Sequence, residues 1–486
     1  MNIPAPSSAP NVILICVDQW RGDALSHLGH PVVRTPWLDQ LALEGASFTR
    51  AYSAVPSCIA ARAALFTGLS QRSHGRVGYK DGVPWDYPAT LAGAFTANGY
   101  QTQAVGKMHV YPERSQLGFQ NVILHDGFLH HSRRRDRDAG MTDDYLPWLR
   151  ERTDAAADYF DHGINCNSNV ARPWDKAEHL HPTNYVVTQS IDFLRRRDPR
   201  KPFFLFMSFH RPHPPYDPPA WAFEQYLDAP VHEPYLGDWE EVFAPFENGT
   251  RPDCARGIVP RDVLRRARAG YFGHMTHIDH QLNRFIEALQ EYQVRGNTFI
   301  CFVSDHGELL GDHHLWRKSM PYEGSSRVPF ILSGPRGCGI TPGARPGQVV
   351  ELRDVMPTLL DCAGLAVPDG VEGRSVLPAA RGGAGPLRTH LHGEHSYVVC
   401  GGAAHWVTDG NEKYVWLSQT GREQLFDLRN DPHELHDLAA APSHATRLAH
   451  WRAVLISELE GREEGYTDGT RLIPGREPRA VLSHLA

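Results

Sequence analysis

The sequence predicts an α/β protein: a large, mostly parallel central sheet flanked by helices, followed by a smaller C-terminal antiparallel sheet with one helix. Three observations predict it. Apolar runs of strand length (11–17, 203–209, 297–303) are continuous rather than alternating, as in strands buried on both faces. Between them lie segments of helical periodicity with cap and stop signals. After about Ala380, beyond a Gly/Pro-rich linker, the texture changes to short strands separated by turns.

Taken in order, residues 11–17 (NVILICV) make the first strand, with Asp18 and Gln19 where it ends. Thr35 and Pro36 open a helix as cap and first-turn proline; Trp37, Leu38, Leu41 and Ala42 share one face, and Gly45 stops it. Residues 47–54 read as a short strand leading into 56–68, PSCIAARAALFTG, a run of good helix formers after Cys58. A helix over 89–98 stops at Gly99, a strand over 101–105 follows, and Gly106-Lys107-Met108-His109 comes next. From Tyr111 to about Pro182 the pattern is irregular and rich in His, Asp, Arg and Trp, which predicts long loops shaping a pocket. A helix over 184–197 carries Val187, Ile191 and Leu194 at helical spacing, and strand 203–209 ends in His210-Arg211-Pro212-His213. A long amphipathic helix (261–292), a strand (297–303) ending in Ser304-Asp305-His306, a strand (328–333) and a helix (352–363) complete the first unit. The second has strands at 404–408, 413–417 and 424–428, then a helix over 443–460 with Leu448, Trp451, Leu455 and Leu459 facing inward. The expected division is 1–385 and 386–486.

The gross numbers exclude several classes. The chain's 486 residues, 41% hydrophobic and 22% charged, are ordinary for a globular protein with a sizeable core. A net charge of −7 argues against general binding to nucleic acid or membrane surfaces. No apolar run approaches the ~20 residues of a membrane helix. The N-terminal segment has no basic region and no small-residue cleavage site, so it reads as a tail into the first strand. Eight cysteines without regular spacing fit reduced thiols and a cytoplasmic location. Oligomeric state has no signal of its own, and a homo-oligomer, by default a dimer, is the expectation.

Four ionisable residues carry the most weight. Asp18, Lys107, His213 and Asp305 each lie just beyond the C-terminal end of a predicted strand, the edge at which open α/β sheets bind ligands. Cys58 and Arg62 stand at i and i+4, on one face of a helix whose first-turn N–H groups favour an anion. Nucleophile, cation and helix start together suit a tetrahedral oxyanion. The spacing excludes the thiol phosphatases, which place cysteine and arginine further apart around a phosphate loop. Asp18, Gln19, Asp305 and His306 supply oxygens and one imidazole from two strand ends, a donor set for a single calcium, magnesium or manganese ion. Each feature alone has a plain alternative: a buried thiol, a capping carboxylate, or a solvated turn for Lys107 and His109. Their coincidence on one rim outweighs these. The run Arg133-Arg134-Arg135 with Arg137 reads as a solvated loop, and Trp85, His130, His131 and Tyr216 as pocket walls if they converge.

Cys58, Ala60, Arg62, Thr67 and Gly68 resemble the sulfatase signature, Cys-x-Pro/Ala-x-Arg, four residues, then Thr-Gly. The likeness extends to Gly106-Lys107-x-His109, to His213 in a His-Pro-Pro (with His210 as the alternative), to Lys318 in LWRKSMPYEGSSRVP and to LFDLRNDPHELHDL near the C-terminus, nearly the whole chain. The resemblance implies an alkaline phosphatase/sulfatase-like fold and a formylglycine made from Cys58 by a formylglycine-generating enzyme. It implies one calcium held by Asp18, Gln19, Asp305, His306 and residue 58. Gln19 and His306 depart from the usual acid and asparagine, which leaves manganese open and is similar to phosphonate monoester hydrolases. The implied reaction is hydrolysis of a small-molecule sulfate monoester, with a phosphonate or phosphodiester as the alternative. Arg62, Lys107 and Lys318 would face the nonbridging oxygens, a protonated His213 or Lys318 the leaving group, and His109 the second hydroxyl. Arg317 and Arg327 read as structural ion-pair partners.

Overall fold

The apolar runs become the strands of one central sheet in the computed structural model, which describes residues 9–127, 139–246, 251–398 and 401–485. In chain order the strands are β1 (Asn11–Asp18), β2 (Ala46–Ser47), β3 (Ala51–Tyr52), β4 (Gln101–Gly106), β5 (Asn121–Leu124), β6 (Phe203–Pro212) and β7 (Thr298–Ser304). Then follow β8 (Phe330–Ser333), β9 (Val350–Glu351), β10 (Leu391–His395), β11 (Ala404–Thr408), β12 (Glu412–Leu417) and β13 (Arg422–Asp427). Among the described residues the central sheet has seven strands in the order β2-β8-β7-β1-β6-β4-β5. From β7 to β5 every pairing is parallel, and β8 and β2 close one side antiparallel. The second sheet, β10-β11-β12-β13, is antiparallel throughout, so both predicted layers are present.

Strand alternation splits the core between the two faces of the sheet. Val12, Leu14 and Cys16 of β1 pack with Phe204 and Phe206 against the helix Cys58–Thr67. Ile13, Ile15 and Val17 face the other way, onto the helices Pro182–Arg196 and Arg261–Glu291. The Cys58 helix is buried along its whole length, because its Ala-rich sequence lets the backbone lie close to the sheet. Ser57, in extended conformation, precedes it, and Gly68 ends it at φ 68°, where its N–H bonds the carbonyl of Ala64.

Several expectations change in detail. Residues 47–54 are two separate two-residue strands, β2 and β3, with β3 paired to β9 outside the main sheet. Trp37 is 37% exposed; only Leu38, Leu41 and Ala42 of its helix are buried. Of the closing helix Ala445–Leu459, Trp451, Leu455 and Leu459 are buried and Leu448 only partly. The stretch read as irregular contains β5 and the helix Tyr145–Arg152. The polar strand β10 escapes any apolar pattern, since its Glu394 is buried in a two-pronged ion pair with Arg462 at 2.7 and 3.0 Å. The second sheet is tied to the first unit by Lys413, whose buried ammonium lies 2.8 Å from both Glu323 and Glu434.

Candidate active site

Four neighbouring strands, β7, β1, β6 and β4, end at one edge and deliver one ionisable group each. Asp18 is the last residue of β1, Lys107 follows β4, His213 follows β6 and Asp305 follows β7. The β1–β6 register shifts between Val17 and Asp18, and Gln19 takes φ 74°, so the chain turns sharply over the edge.

The helix start places Cys58 in the middle of this group. Its sulfur is 2% exposed as a residue and lies 3.2 Å from His306 Nε2, 3.6 Å from Asp18 Oδ1 and 3.6 Å from Lys318 Nζ. Lys107 makes a buried ion pair with Asp18 Oδ2. Burial opposes ionisation of Asp18, yet Lys107, with His306 and Lys318, holds its carboxyl well below the usual range. Burial and Asp18 push the Cys58 thiol up, but Lys107, Lys318 and His306 outweigh them and pull it below its ordinary value.

Arg62 does not turn toward open space as its i+4 spacing suggested. Its guanidinium, 0% exposed, donates to Asp305 Oδ2 at 3.0 Å, to the Lys107 carbonyl at 2.7 Å and to Ser208 Oγ at 2.9 Å. It therefore ties the ends of β7 and β4 to β6.

Asp18, Cys58, Asp305 and His306 offer ligand atoms that all lie within 4.8 Å of one another. His306 Nδ1 lies 2.9 Å from the Gly307 carbonyl, which turns Nε2 into the group. Burial lowers the His306 pKa, but Asp305, with Cys58 and Asp18, pushes it up to about 10. A cation among the same oxygens would take that proton's place. Gln19 sits beside this set, with its Nε2 on Glu308 and its Oε1 accepting from Lys318 Nζ at 2.9 Å. Asp18, His210 and His213 form a second group within 4.8 Å. There, however, Arg211 Nη1 is 2.6 Å from His210 Nδ1. That nitrogen must accept, so a neutral ring carries its proton on Nε2 and offers no second metal ligand.

A cavity of about 810 Å³ opens above Cys58, lined by Lys107, His109, His213 and Lys318 among others. His109, at φ 55°, is held by Asp126, which accepts from the backbone N–H groups of Met108 and His109 at 2.7 and 2.9 Å. His213 Nδ1 is 2.9 Å from the Pro214 carbonyl, and burial with Lys318 pulls its pKa well below the ordinary value. Residues 163–167, with Phe160 and Tyr79, form the outer wall.

Other expected wall residues are elsewhere. Trp85 packs on Phe66 and under Arg76, and Tyr216 is buried with its hydroxyl 3.3 Å from Glu308. Arg317 lines the cavity and donates to the Asp253 carbonyl, while Arg327 is paired with Glu323 at 3.3 Å. His130, His131, Arg133, Arg134, Arg135 and Arg137 lie outside the described residues. Sequence reasoning missed Asp126 and Glu308. Asp126 sits in an irregular stretch with no signal, whereas Glu308 stands two residues past His306.

A nucleophile position at a helix start, cations around it and divalent-ion donors beneath it make a hydrolytic centre for anionic tetrahedral esters. The family model described as sulfatase matches residues 10–365, and that described as N-sulphoglucosamine sulphohydrolase, C-terminal, matches residues 311–460. The chain is 50% identical to an arylsulfatase of Clostridium perfringens over 484 residues, covering 98% of this chain and 99% of that one. It is 30% identical to a multifunctional alkaline phosphatase superfamily protein of Trinickia caryophylli, covering 90% and 92%. The crystal structure of the phosphonate monoester hydrolase of Agrobacterium radiobacter superposes with a TM-score of 0.75 at 27% identity, covering 92% and 95%. The chain belongs to the sulfatase family. It is an enzyme, a sulfuric ester hydrolase.

Proposed function

We propose that this enzyme cleaves sulfate monoesters of small alcohols or phenols through a formylglycine made from Cys58, with one divalent cation, calcium ahead of manganese. The observation that carries the reading is the convergence on Cys58 Sγ of His306, Asp18 and Lys318 at 3.2–3.6 Å, on the floor of an open cavity. The donor set fits the cation: two carboxylates and an imidazole nitrogen already aimed inward. Asp18, Asp305 and His306, with Gln19 adjacent, would hold it, and it supplies positive charge to the nonbridging oxygens and to residue 58. A formylglycine there supplies, when hydrated, two geminal hydroxyls, one to attack sulfur and one to regenerate the aldehyde.

The chain's own groups do the rest. Lys107 and Lys318 present ammonium groups to the sulfate oxygens, while Arg62 acts by fixing Asp305. Asp18 is the carboxylate that faces residue 58; the Asp305 oxygens are engaged by the Gln19 N–H and by Arg62. His109, on the cavity wall, would take the proton of the second hydroxyl. A neutral His213 whose Nδ1–H is on Pro214 has only a lone pair at Nε2, so the proton for the leaving oxygen falls to Lys318. Lys318→Ala is therefore expected to lower kcat on the order of 10²-fold for alkyl sulfates and much less for 4-nitrophenyl sulfate, whose leaving group needs no proton. A Brønsted series of leaving groups checks this.

Because Cys58 is 2% exposed, the formylglycine-generating enzyme acts before the chain folds. The free thiols support a cytoplasmic enzyme, and no described helix is long and apolar enough to cross a membrane. We retain a homo-oligomer and the division at 385/386 as parts of the proposal. The direct test is release of inorganic sulfate from an aryl sulfate. Chelation should remove it, calcium or manganese should restore it, and sulfate release that survives exhaustive chelation would refute the metal assignment. The second reading, a phosphonate monoester or phosphodiester hydrolase with the same nucleophile, is favoured by Gln19 and His306 and by the likeness to the Agrobacterium radiobacter hydrolase.

A further inference from the structure

Glu308 is fully buried and accepts from four uncharged donors. Its Oε1 takes the backbone N–H groups of Leu310 at 2.8 Å and Arg317 at 2.5 Å. Its Oε2 takes the Tyr216 hydroxyl at 3.3 Å and the Nε2 of Gln19. The Lys318 ammonium only donates, so the Gln19 amide presents its oxygen there and its NH2 toward Glu308. That oxygen meets Lys318 Nζ at 2.9 Å, and the same Nζ lies 3.6 Å from Cys58 Sγ. The bond to the Arg317 N–H also fixes the backbone immediately before Lys318. One carboxylate thus sets the lysine from two sides.

We propose that Glu308 is a positioning residue for ester cleavage: it locks the Gln19 amide so that its oxygen holds the Lys318 ammonium against the reacting atom at residue 58. This rests on the role given to Lys318 above. It also gives Gln19 a task that does not depend on ligating the cation. An amide oxygen anchors an ammonium by a hydrogen bond without cancelling its charge, which leaves Lys318 cationic for an anionic ester.

The polarity of the Glu308–Gln19 pair can be reversed, and that supplies the test. In Glu308→Gln the new amide must aim its NH2 either at the N–H groups of Leu310 and Arg317 or at the NH2 of Gln19; both are donor–donor clashes. In Gln19→Glu two buried carboxylates face each other. In the double exchange Glu308→Gln with Gln19→Glu, the amide at 308 donates to the carboxylate at 19. Its oxygen still accepts from Leu310 and Arg317, and the second oxygen at 19 still accepts from Lys318.

The experiment measures kcat and KM for a series of sulfate esters with leaving groups of differing pKa, on the wild type, both single variants and the double variant. Each single variant should lose on the order of 10- to 100-fold in kcat, as expected for a misplaced catalytic group, with KM changed far less. The loss should grow as the leaving group worsens, following Lys318→Ala, a pattern that general loosening of the fold would not give. The double variant should recover at least about tenfold over either single. Wild-type kcat in Glu308→Gln, a loss independent of leaving group, or a double variant no better than the singles would overturn the proposal. If Glu308→Gln does not fold, the comparison of Gln19→Glu with the double variant decides. Should the wild type prefer a phosphonate ester, the sulfate reading fails, and the same four proteins judge this inference on the phosphonate.

Discussion

Cys58→Ala is expected to reduce sulfate ester turnover to background, a loss on the order of 10⁴-fold or more, with the melting temperature shifted by only a few degrees. Among the described residues the side chain at 58 is the nucleophile position that Asp18, His306 and Lys318 surround; Ser57 precedes the helix and Ser319 follows Lys318. Stability should change little, since a small thiol is removed from the floor of an open cavity. Activity is likewise expected to be proportional to the fraction of chains carrying the aldehyde. Intact-peptide mass spectrometry of the segment containing Cys58, from protein made with and without the maturing enzyme, should rank preparations in the same order as their kcat. Full activity in protein with only the thiol would remove formylglycine from the account.

Asp305→Asn is expected to cost both activity and stability. The carboxylate accepts from the Gln19 N–H at 3.2 Å, pairs with Arg62, whose guanidinium is 0% exposed, and in the proposed mechanism would hold the cation. Removing one partner of such a pair leaves a buried charge uncompensated, about 3–5 kcal/mol of destabilisation. Loss of a cation ligand adds a fall in kcat/KM on the order of 10³-fold. Chemical denaturation and kinetics on the same preparation separate the two. The complementary Arg62→Lys should also be destabilised, because one ammonium cannot reach Asp305, the Lys107 carbonyl and Ser208 together.

Much of this was legible in the sequence because the fold writes its active edge as a repeated pattern. A buried parallel strand is a solid apolar run, so Asp18, Lys107, His213 and Asp305 stand out where each run stops. The helix after Cys58 was legible for the same reason: Ala-rich, begun after Ser57 and ended at Gly68. What was illegible depended on direction or on partners distant in sequence. Helical spacing puts Arg62 beside Cys58, but only packing decides that its guanidinium is spent on Asp305 and Lys107. The strand β10 is polar because its Glu394 is satisfied by Arg462, far along the chain. Glu308 reads as one more acid in a turn until Gln19, Arg317 and Tyr216 are seen around it. For the leaving group the resemblance implied a protonated His213 or Lys318; burial and Lys318 pull the His213 pKa well below its ordinary value, which leaves Lys318 as the proposed acid.

The central claim is sulfate ester hydrolysis at Cys58, and one paired measurement tests it most directly. Protein shown by mass spectrometry to carry the aldehyde at residue 58 is assayed for kcat/KM on an aryl sulfate and on a phenylphosphonate ester with the same leaving group. The account predicts a clear preference for the sulfate, lost in Cys58→Ala. A preference for the phosphonate would contradict it, and would mean that Gln19 and His306 mark the substrate rather than a variation in how the cation is held.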